Sequence, residues 1–579
     1  MPSSVHSSEK LRCVVQDSDQ GLRFAAGRAG RMPWRSVAAS MVVLLCLTGS
    51  LFAQSRTMAI TKRYLNVPVG RETQMRIFQI SVDGAQKREF PVQLAADAVD
   101  YWIFVDVSEF KGQTITLAGA ASAAALDRIT QDDKIKGWET LYREPNRPQF
   151  HFTAMRGWNN DVNGPIYYKG QYHLFWQAFP FGVKPDSDFM YWGRAVSSDL
   201  VHWRELPAAL MPDKNGSEWS GTSFVDRNND GGWGKDALVL VYASYDRFTH
   251  KQVQCLAYST DNGATFTHYK GNPVLDSDSE LGTTDTRDPK VFWYAPDKRW
   301  VMVLFEKDGM SFYTSTDLKA WTRRSHFKGL WECPDFFALP VDENTSRMKW
   351  VLHGGSSTYY IGSFDGSTFT AETPALRYAE GKNAHGDDAL YAAESFVDMP
   401  DGRRVQMGWG RINQKDMPFN QMILFPTEFR LASTPEGPRL RVTPVKEVAL
   451  LHGTAHAWTA LTATEAGRKL STIKAGPLHA KIEVSLEKGD VLTIRYQGNV
   501  LATVPSGDLE NGRGAVELLI DKSVAEIFVN GGSHYMVKEI PVSAEVRGLE
   551  CSLGSAASRI DRLEVYEMKS MWETRPTRQ

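Results

Sequence analysis

The sequence predicts an all-β protein: a five-bladed β-propeller with a C-terminal β-sandwich behind it and a small N-terminal β domain ahead of it. Three observations carry this. A polar motif followed by two apolar strands recurs five times between about residues 148 and 437. Short apolar runs bounded by Gly, Asn and Asp turns dominate the chain before and after that region. Aromatic residues are abundant, with 17 Trp, 20 Tyr and 28 Phe, which suits apolar β-structure.

Residues 1–53 read as a leader and signal peptide. The run VAASMVVLLCLTGSLFA, 37–53, follows Arg31 and Arg35 and ends in Ala53 before the polar QSR, the layout of a secretory signal. At 17 residues it is short for a bilayer span, which takes about 20. Met32 is the expected translation start, since residues 1–31 carry no signal-like feature. The mature protein is therefore expected to be secreted or periplasmic, with no membrane attachment once the leader is cleaved. Its cysteines would be Cys255, Cys333 and Cys551, an odd number at wide spacing that indicates neither a disulfide framework nor a zinc site.

Residues 56–122 are expected to form the N-terminal β domain. MRIFQISV alternates in polarity and runs into Asp83-Gly84, a hairpin turn signal, and YWIFVDV and QTITLAG supply further strands. The helical patch AAALDRITQDDKI and the Pro-bearing REPNRPQF make 123–147 the expected linker.

The repeats lie in 148–437: DVNG-PIYY-KGQ-YHLFWQ, WSG-TSFV-DRNNDGGWGKD-ALVLVYA, RDP-KVFWY-APDK-RWVMVLFE, ECP-DFFAL-PVDENTSRM-KWVLHGG and AAE-SFVDM-PDGR-RVQMGWG. Four carry a downstream echo, SSDLVHW, STDNGATF, STDLKAW and SFDGSTF, whose aspartates Asp199, Asp261, Asp317 and Asp365 read as turn residues. Modules of this size with four short strands each resemble propeller blades. Residues 442–570, with strands such as GDVLTIRYQGN, form the expected sandwich.

The architecture bears on Asp161. In WNNDVNG it reads by composition as a turn residue. In a propeller, however, a residue just ahead of an innermost strand sits at one mouth of the central channel, and Asp161, Asp288 and Glu332 all occupy that position. Carboxylates drawn together repel when ionised, a cost without structural benefit, whereas glycoside hydrolysis needs such a pair. The net charge of -2 supplies no electrostatic footprint for nucleic acid, no long run of like charge makes an interaction tail, and a neutral partner is expected.

At these residues the chain resembles glycoside hydrolase family 32, the invertases, inulinases and levanases. WNNDVNG, RDPKVFW and WECPDFF are similar to the family's nucleophile, RDP and EC motifs, in the same order. WSGTSFVD, YAAESF and MPFNQMILFPTEFRL resemble its later blade motifs, and VELLIDKSVAEIFVNGG its C-terminal sandwich. The resemblance implies that Asp161 is the nucleophile toward a β-fructosyl unit and Glu332 the acid/base. A carboxyl donating its proton near neutral pH needs a raised pKa, which neighbouring carboxylates and aromatic walls such as Trp331 would supply. Asp288 would hold fructose hydroxyls, with Arg287 orienting or neutralising it. Asn160, Gln177, Trp219 and Ser220 would line the fructose pocket, and neither a metal nor an organic cofactor is needed.

The chain departs from the family pattern at Val162, Phe179, Arg194, Glu394 and WGRINQKD. Phe179 and Arg194 are expected to reshape fructose or aglycone binding, so that Phe179→Asn with Arg194→His would raise kcat/KM on ordinary fructans. The implied activity is release of fructose from levan, inulin or sucrose by double displacement. A fructosyltransferase, another furanosidase of the same fold, and a non-catalytic carbohydrate-binding propeller remain the alternatives.

Overall fold

The structure, a computed structural model, describes residues 54–572 except 121, 278–279 and 542–546. The expected leader lies outside the described residues. The described chain is an all-β protein built from successive antiparallel sheets, and among the described residues no helix is long and apolar enough to cross a membrane.

The N-terminal part holds two small sheets. In the first, Gln54–Ala59, Thr114–Ala120, Arg76–Val82 and Ala85–Val92 pair in that order. Its hairpin closes with Asp83 at φ 48° and Gly84 at φ 77°, the left-handed pair that an Asp-Gly two-residue turn demands. The second sheet orders Tyr101–Asp106, Tyr64–Val69 and Thr130–Asp132. That last strand corrects the expected linker: within 123–147, residues 130–132 pair with Tyr64–Asn66, and Ala123–Asp127 forms a short helix capped by the Ser122 side chain.

Each of the five repeats folds as a hairpin, the fifth with its first strand earlier than expected, at Leu390–Ser395 rather than over SFVDM. Strands Gly157–Tyr168, Ser217–Asp226, Thr286–Tyr294, Asp335–Val341 and Leu390–Ser395 pair respectively with Gln171–Phe179, Ala237–Tyr245, Arg299–Glu306, Asn344–His353 and Arg404–Gly410. The first three hairpins found separate sheets of five, four and four strands, while the fourth and fifth share one ladder through a single parallel bridge, Val341 to Leu431. Phe419–Asn420, after the fifth hairpin, pairs in parallel with Gly157 and Trp158 and so adds the end of the array to its beginning.

Sequence polarity explains how the sheets stack. In Ala237–Tyr245, Leu238, Leu240 and Tyr242 enter one apolar core while Val239 and Val241 enter the next. In Arg299–Glu306, Trp300, Met302 and Leu304 face one core and Val301, Val303 and Phe305 the other. Strands buried on both faces read as continuous apolar runs, as ALVLVYA and RWVMVLFE do. The inner edges approach closely: at Gly164, φ 46°, a Cβ would sit 2.0 Å from the Ser223 nitrogen of the next inner strand, so only glycine fits.

The four echoed aspartates are turn residues, each caught by main-chain N–H groups two to four residues on. Asp199 accepts from His202 N at 2.9 Å, Asp261 from Thr265 N at 2.9 Å, Asp317 from Ala320 N at 2.9 Å and Asp365 from Thr368 N at 2.7 Å.

At the C-terminus a six-stranded and a three-stranded sheet enclose one core containing Leu478, Ile482, Leu492, Ile494 and Ile527. This module is tied to the start of the repeats by a buried clamp. The His151 ring nitrogens lie 3.0 Å from Asp521 and 2.8 Å from Glu526, and Asp521 also accepts the backbone N–H groups of Gln149, Phe150 and His151. Burial opposes the imidazolium, but the two carboxylates overcome it and push the His151 pKa up to about 9.

Candidate active site

The inner strands share one local defect. Their pairing registers skip residues 160–161, 219–220, 288–289 and 392–393, so two residues bulge from the ladder at corresponding places in four of the five. In the remaining one, Glu332 and Cys333 take positive φ, 49° and 43°, just ahead of Asp335–Val341. Asp288 and Ala392 are left-handed too, at 61° and 44°. Such conformations are strained for non-glycine residues and re-aim side chains out of the pleat. This corrects the expected position of two carboxylates: Asp161 and Asp288 lie within strands, at bulges, and only Glu332 precedes one.

The bulges at 160–161, 219–220 and 288–289, with Glu332 and Tyr391, line a cavity of about 220 Å³. All eight predicted residues line it: Asn160, Asp161, Gln177, Trp219, Ser220, Arg287, Asp288 and Glu332. Pro185, Ser187, Met190, Tyr391 and Trp409 complete the wall and were not expected. Trp409 stands opposite Tyr391 in the fifth hairpin, a pairing visible only once the strand register is known. Trp331, expected as a wall, does not line the cavity: it is 49% exposed and packs edge-on against Phe305.

Within the cavity three carboxylates are joined through neighbours. Ser220 Oγ donates to Asp161 Oδ2 at 2.7 Å. The Cys333 thiol lies 3.5 Å from Asp161 Oδ2 and 3.5 Å from Asp288 Oδ2, so these two oxygens are at most 7 Å apart. The Cys333 backbone N–H donates to Asp288 Oδ2 at 3.0 Å, and the left-handed turn at Glu332-Cys333 is what points it there. Glu332 receives Arg287 on one oxygen, from Nη2 at 2.8 Å and Nε at 3.2 Å, and the Tyr391 hydroxyl on the other at 2.6 Å. Arg287 was expected beside Asp288, yet its nearest approach there is 4.0 Å, and its direct partners are Glu332, Asp285 and the Gln252 side-chain oxygen.

The electrostatics follow from this arrangement. Burial and then the Asp288 charge push the Asp161 pKa up to about 7, against the Ser220 hydrogen bond. Burial likewise lifts Asp288 to about 6, opposed by Arg287 and reinforced by Glu332. Burial and the Glu332 charge hold the Tyr391 hydroxyl far above its ordinary value, so it remains a neutral donor. Perturbed carboxylates gathered in a concave, aromatic-walled pocket suit acid, base and nucleophilic work on a neutral ligand.

The departures from the family pattern fall elsewhere than expected. Val162, Phe179, Arg194 and Glu394 line no part of the cavity. Phe179 is fully buried and packs edge-on against Phe181. The Arg194 guanidinium turns away to the carbonyls of Gly263 and Ala264 and over the Phe266 ring. Glu394 accepts the Gly164 N–H at 2.7 Å and faces Lys290 at 3.6 Å; burial raises its pKa to about 8, against Lys290. The expectation that Phe179 and Arg194 shape the binding pocket is thus corrected: both belong to the packing of the first sheet.

The chain is similar to known proteins in sequence and in fold. Residues 151–444, half of the chain, match the "Glycosyl hydrolases family 32 N-terminal domain". The levanase of Bacillus subtilis (strain 168) is 34% identical over 525 residues, covering 80% of this chain and 75% of the levanase. An extracellular exo-inulinase of Aspergillus awamori is 35% identical over 314 residues, covering 46% of this chain and 58% of that protein. The crystal structure of exo-inulinase from Aspergillus awamori superposes with a TM-score of 0.64 at 25% identity, covering 74% of this chain and 100% of the other. With the family's region spanning every residue of the carboxylate cavity, this chain belongs to glycoside hydrolase family 32.

Proposed function

We propose that the protein is a secreted, retaining glycoside hydrolase that releases fructose from levan, inulin or sucrose. The observation that carries the reading is the convergence of Asp161, Asp288 and Glu332, brought from separate hairpins onto one pocket. Asp161 is the nucleophile: among the described residues its carboxylate holds only the neutral Ser220 and Cys333 donors, which leaves its electron pairs basic. Glu332 is the acid/base, seated between Arg287 and Tyr391 and 27% exposed toward the cavity, where a leaving oxygen and then water can reach it. Asp288, fixed by the Cys333 N–H, accepts fructose hydroxyls, and Asn160, Gln177, Trp219 and Ser220 shape the sugar pocket. In the first step Asp161 attacks the anomeric carbon as Glu332 protonates the departing oxygen. In the second Glu332 takes a proton from water, which displaces the ester and restores the configuration.

The architecture around this site is, in our reading, a five-bladed propeller at about 148–437, with the N-terminal domain before it and the sandwich at 442–570. The alternating two-faced cores and the return of Phe419–Asn420 to the first sheet support it. Export is supported by the apolar run at 37–53 and by the extracellular character of a relative.

Two experiments test the function. Chromatography of products from sucrose, inulin and levan should show free fructose; a fructosylated sugar as the main product would instead make the protein a transferase. Asp161→Ala should abolish turnover, whereas Glu332→Ala should retain activity on fructosides whose leaving group needs no proton and accelerate with azide, yielding β-fructosyl azide. An α-azide would overturn the double displacement.

A further inference from the structure

Beside the second bulge, outside the cavity, lies a second cluster. Glu218 is fully buried, and neither of its carboxylate oxygens has a hydrogen-bond partner among the described residues. A buried, uncompensated carboxylate is among the costliest groups a fold can hold. Its neighbours are Asp213 and His268: His268 Nδ1 is 3.9 Å from Glu218 Oε1 and 3.5 Å from Asp213 Oδ2, and the three ligand atoms all lie within 4.8 Å of one another. Asp213 and His268 are 21% and 30% exposed, so the cluster opens to solvent on one side with Glu218 at its base.

We propose that Asp213, Glu218 and His268 bind one divalent cation of the zinc class. Two carboxylates supply two negative charges, which a divalent ion neutralises, and one imidazole nitrogen beside carboxylate oxygens is a donor set for zinc rather than for magnesium or calcium, which take oxygen. A tetrahedral ion with bonds of about 2.0–2.2 Å holds its ligands about 3.3–3.6 Å apart. Asp213 and His268 already stand at that separation, and the unpaired Glu218 carboxylate closes the remaining gap. Solvent supplies the fourth ligand. Supporting donors are in place: Asn215 holds Asp213 through its backbone N–H at 2.7 Å and its amide at 3.2 Å, and the Tyr242 hydroxyl reaches His268 Nδ1 at 2.8 Å. When Nδ1 turns its lone pair to the ion, that hydroxyl is released to a ligand carboxylate.

The ion would act by position. Glu218 donates its backbone N–H to Met190 O at 3.1 Å, accepts Gln177 Nε2 on its carbonyl at 2.8 Å, and directly precedes Trp219 and Ser220. Holding its side chain braces the bulge that carries two residues of the cavity wall.

The test uses the mature full-length protein, freed of metal with a chelator and titrated calorimetrically with zinc chloride. One ion per chain is expected, with affinity falling at least 100-fold in Glu218→Gln and in His268→Gln. Thermal melts add a sign reversal: without metal Glu218→Gln should melt above the wild type, because a carboxyl buried without a partner is gone, and in excess zinc it should melt below. His268→Gln, at a partly exposed position, keeps the test valid should Glu218→Gln fail to fold. No stoichiometric binding by the wild type, equal binding by both variants, or the same order of melting with and without zinc would each overturn the proposal.

Discussion

Asp161→Asn should stabilise the folded protein at neutral pH while removing its activity. The Asp161 pKa rises from 3.8 to about 7 on folding, so the native state prefers the protonated carboxyl. Its contribution to stability is therefore fully present below pH 3.8 and is lost as pH rises through about 7. At about 1.36 kcal/mol for each tenfold change in proton affinity, the charged form costs up to about 4 kcal/mol at pH 8. Asp161 is partly accessible from the cavity, and water there screens the charge, which reduces the cost to about 2 kcal/mol. Asparagine keeps an oxygen for Ser220 and carries no charge. At about 1 kcal/mol per degree for a chain of this size, the variant should melt about 2 °C above the wild type at pH 8 and within about 1 °C of it at pH 4. Scanning calorimetry across that pH range gives the comparison. A melting difference independent of pH, or a wild type more stable than the variant at pH 8, would refute the claim that the pocket holds Asp161 at an electrostatic cost.

His151→Asn should destabilise by about 3–5 kcal/mol near pH 6, since it strands Asp521 and Glu526. The folded pKa of His151, about 9, exceeds its ordinary 6.5, so this stabilisation is complete below pH 6.5 and fades as pH rises through about 9. Urea denaturation at pH 6 and pH 9.5 should show the gap between the two proteins narrowing. Ser220→Ala removes the hydroxyl that favours ionised Asp161, so the acid limb of kcat/KM should move up by about half to one pH unit; a downward move would exclude Asp161 as the group titrating there. Phe179→Asn should lower stability by about 3 kcal/mol, because it replaces a fully buried ring with an amide lacking a partner, and Arg194→His should also destabilise by releasing two carbonyls. In both, kcat/KM on fructans should stay within about twofold of the wild type, and a tenfold gain would return these residues to the pocket.

The sequence by itself determined whatever rests on local chemistry. Asp83-Gly84 turns its hairpin because only left-handed residues fit there, and Asp199, Asp261, Asp317 and Asp365 cap their turns because a short carboxylate reaches N–H groups a few residues on. The doubly apolar runs marked strands buried on both faces, and the repeat of polar motif, strand and strand brought Asp161, Asp288 and Glu332 into consideration together. Tertiary structure alone decided what depends on register and on approach across long sequence separations. The bulges that aim Asp161 and Asp288 inward are defined against a partner strand, so the polar motif read as a turn ahead of the strand rather than as part of it. Arg287 meets Glu332 rather than Asp288, and the Tyr391 hydroxyl and Cys333 thiol join the carboxylates, because neighbouring sheets deliver them to one point. Phe179 sits in the strand that sends Gln177 to the cavity and Arg194 in the strand paired with it, yet both belong to packing: which part of a strand reaches the channel is set by how neighbouring sheets meet, and a one-dimensional pattern does not specify it.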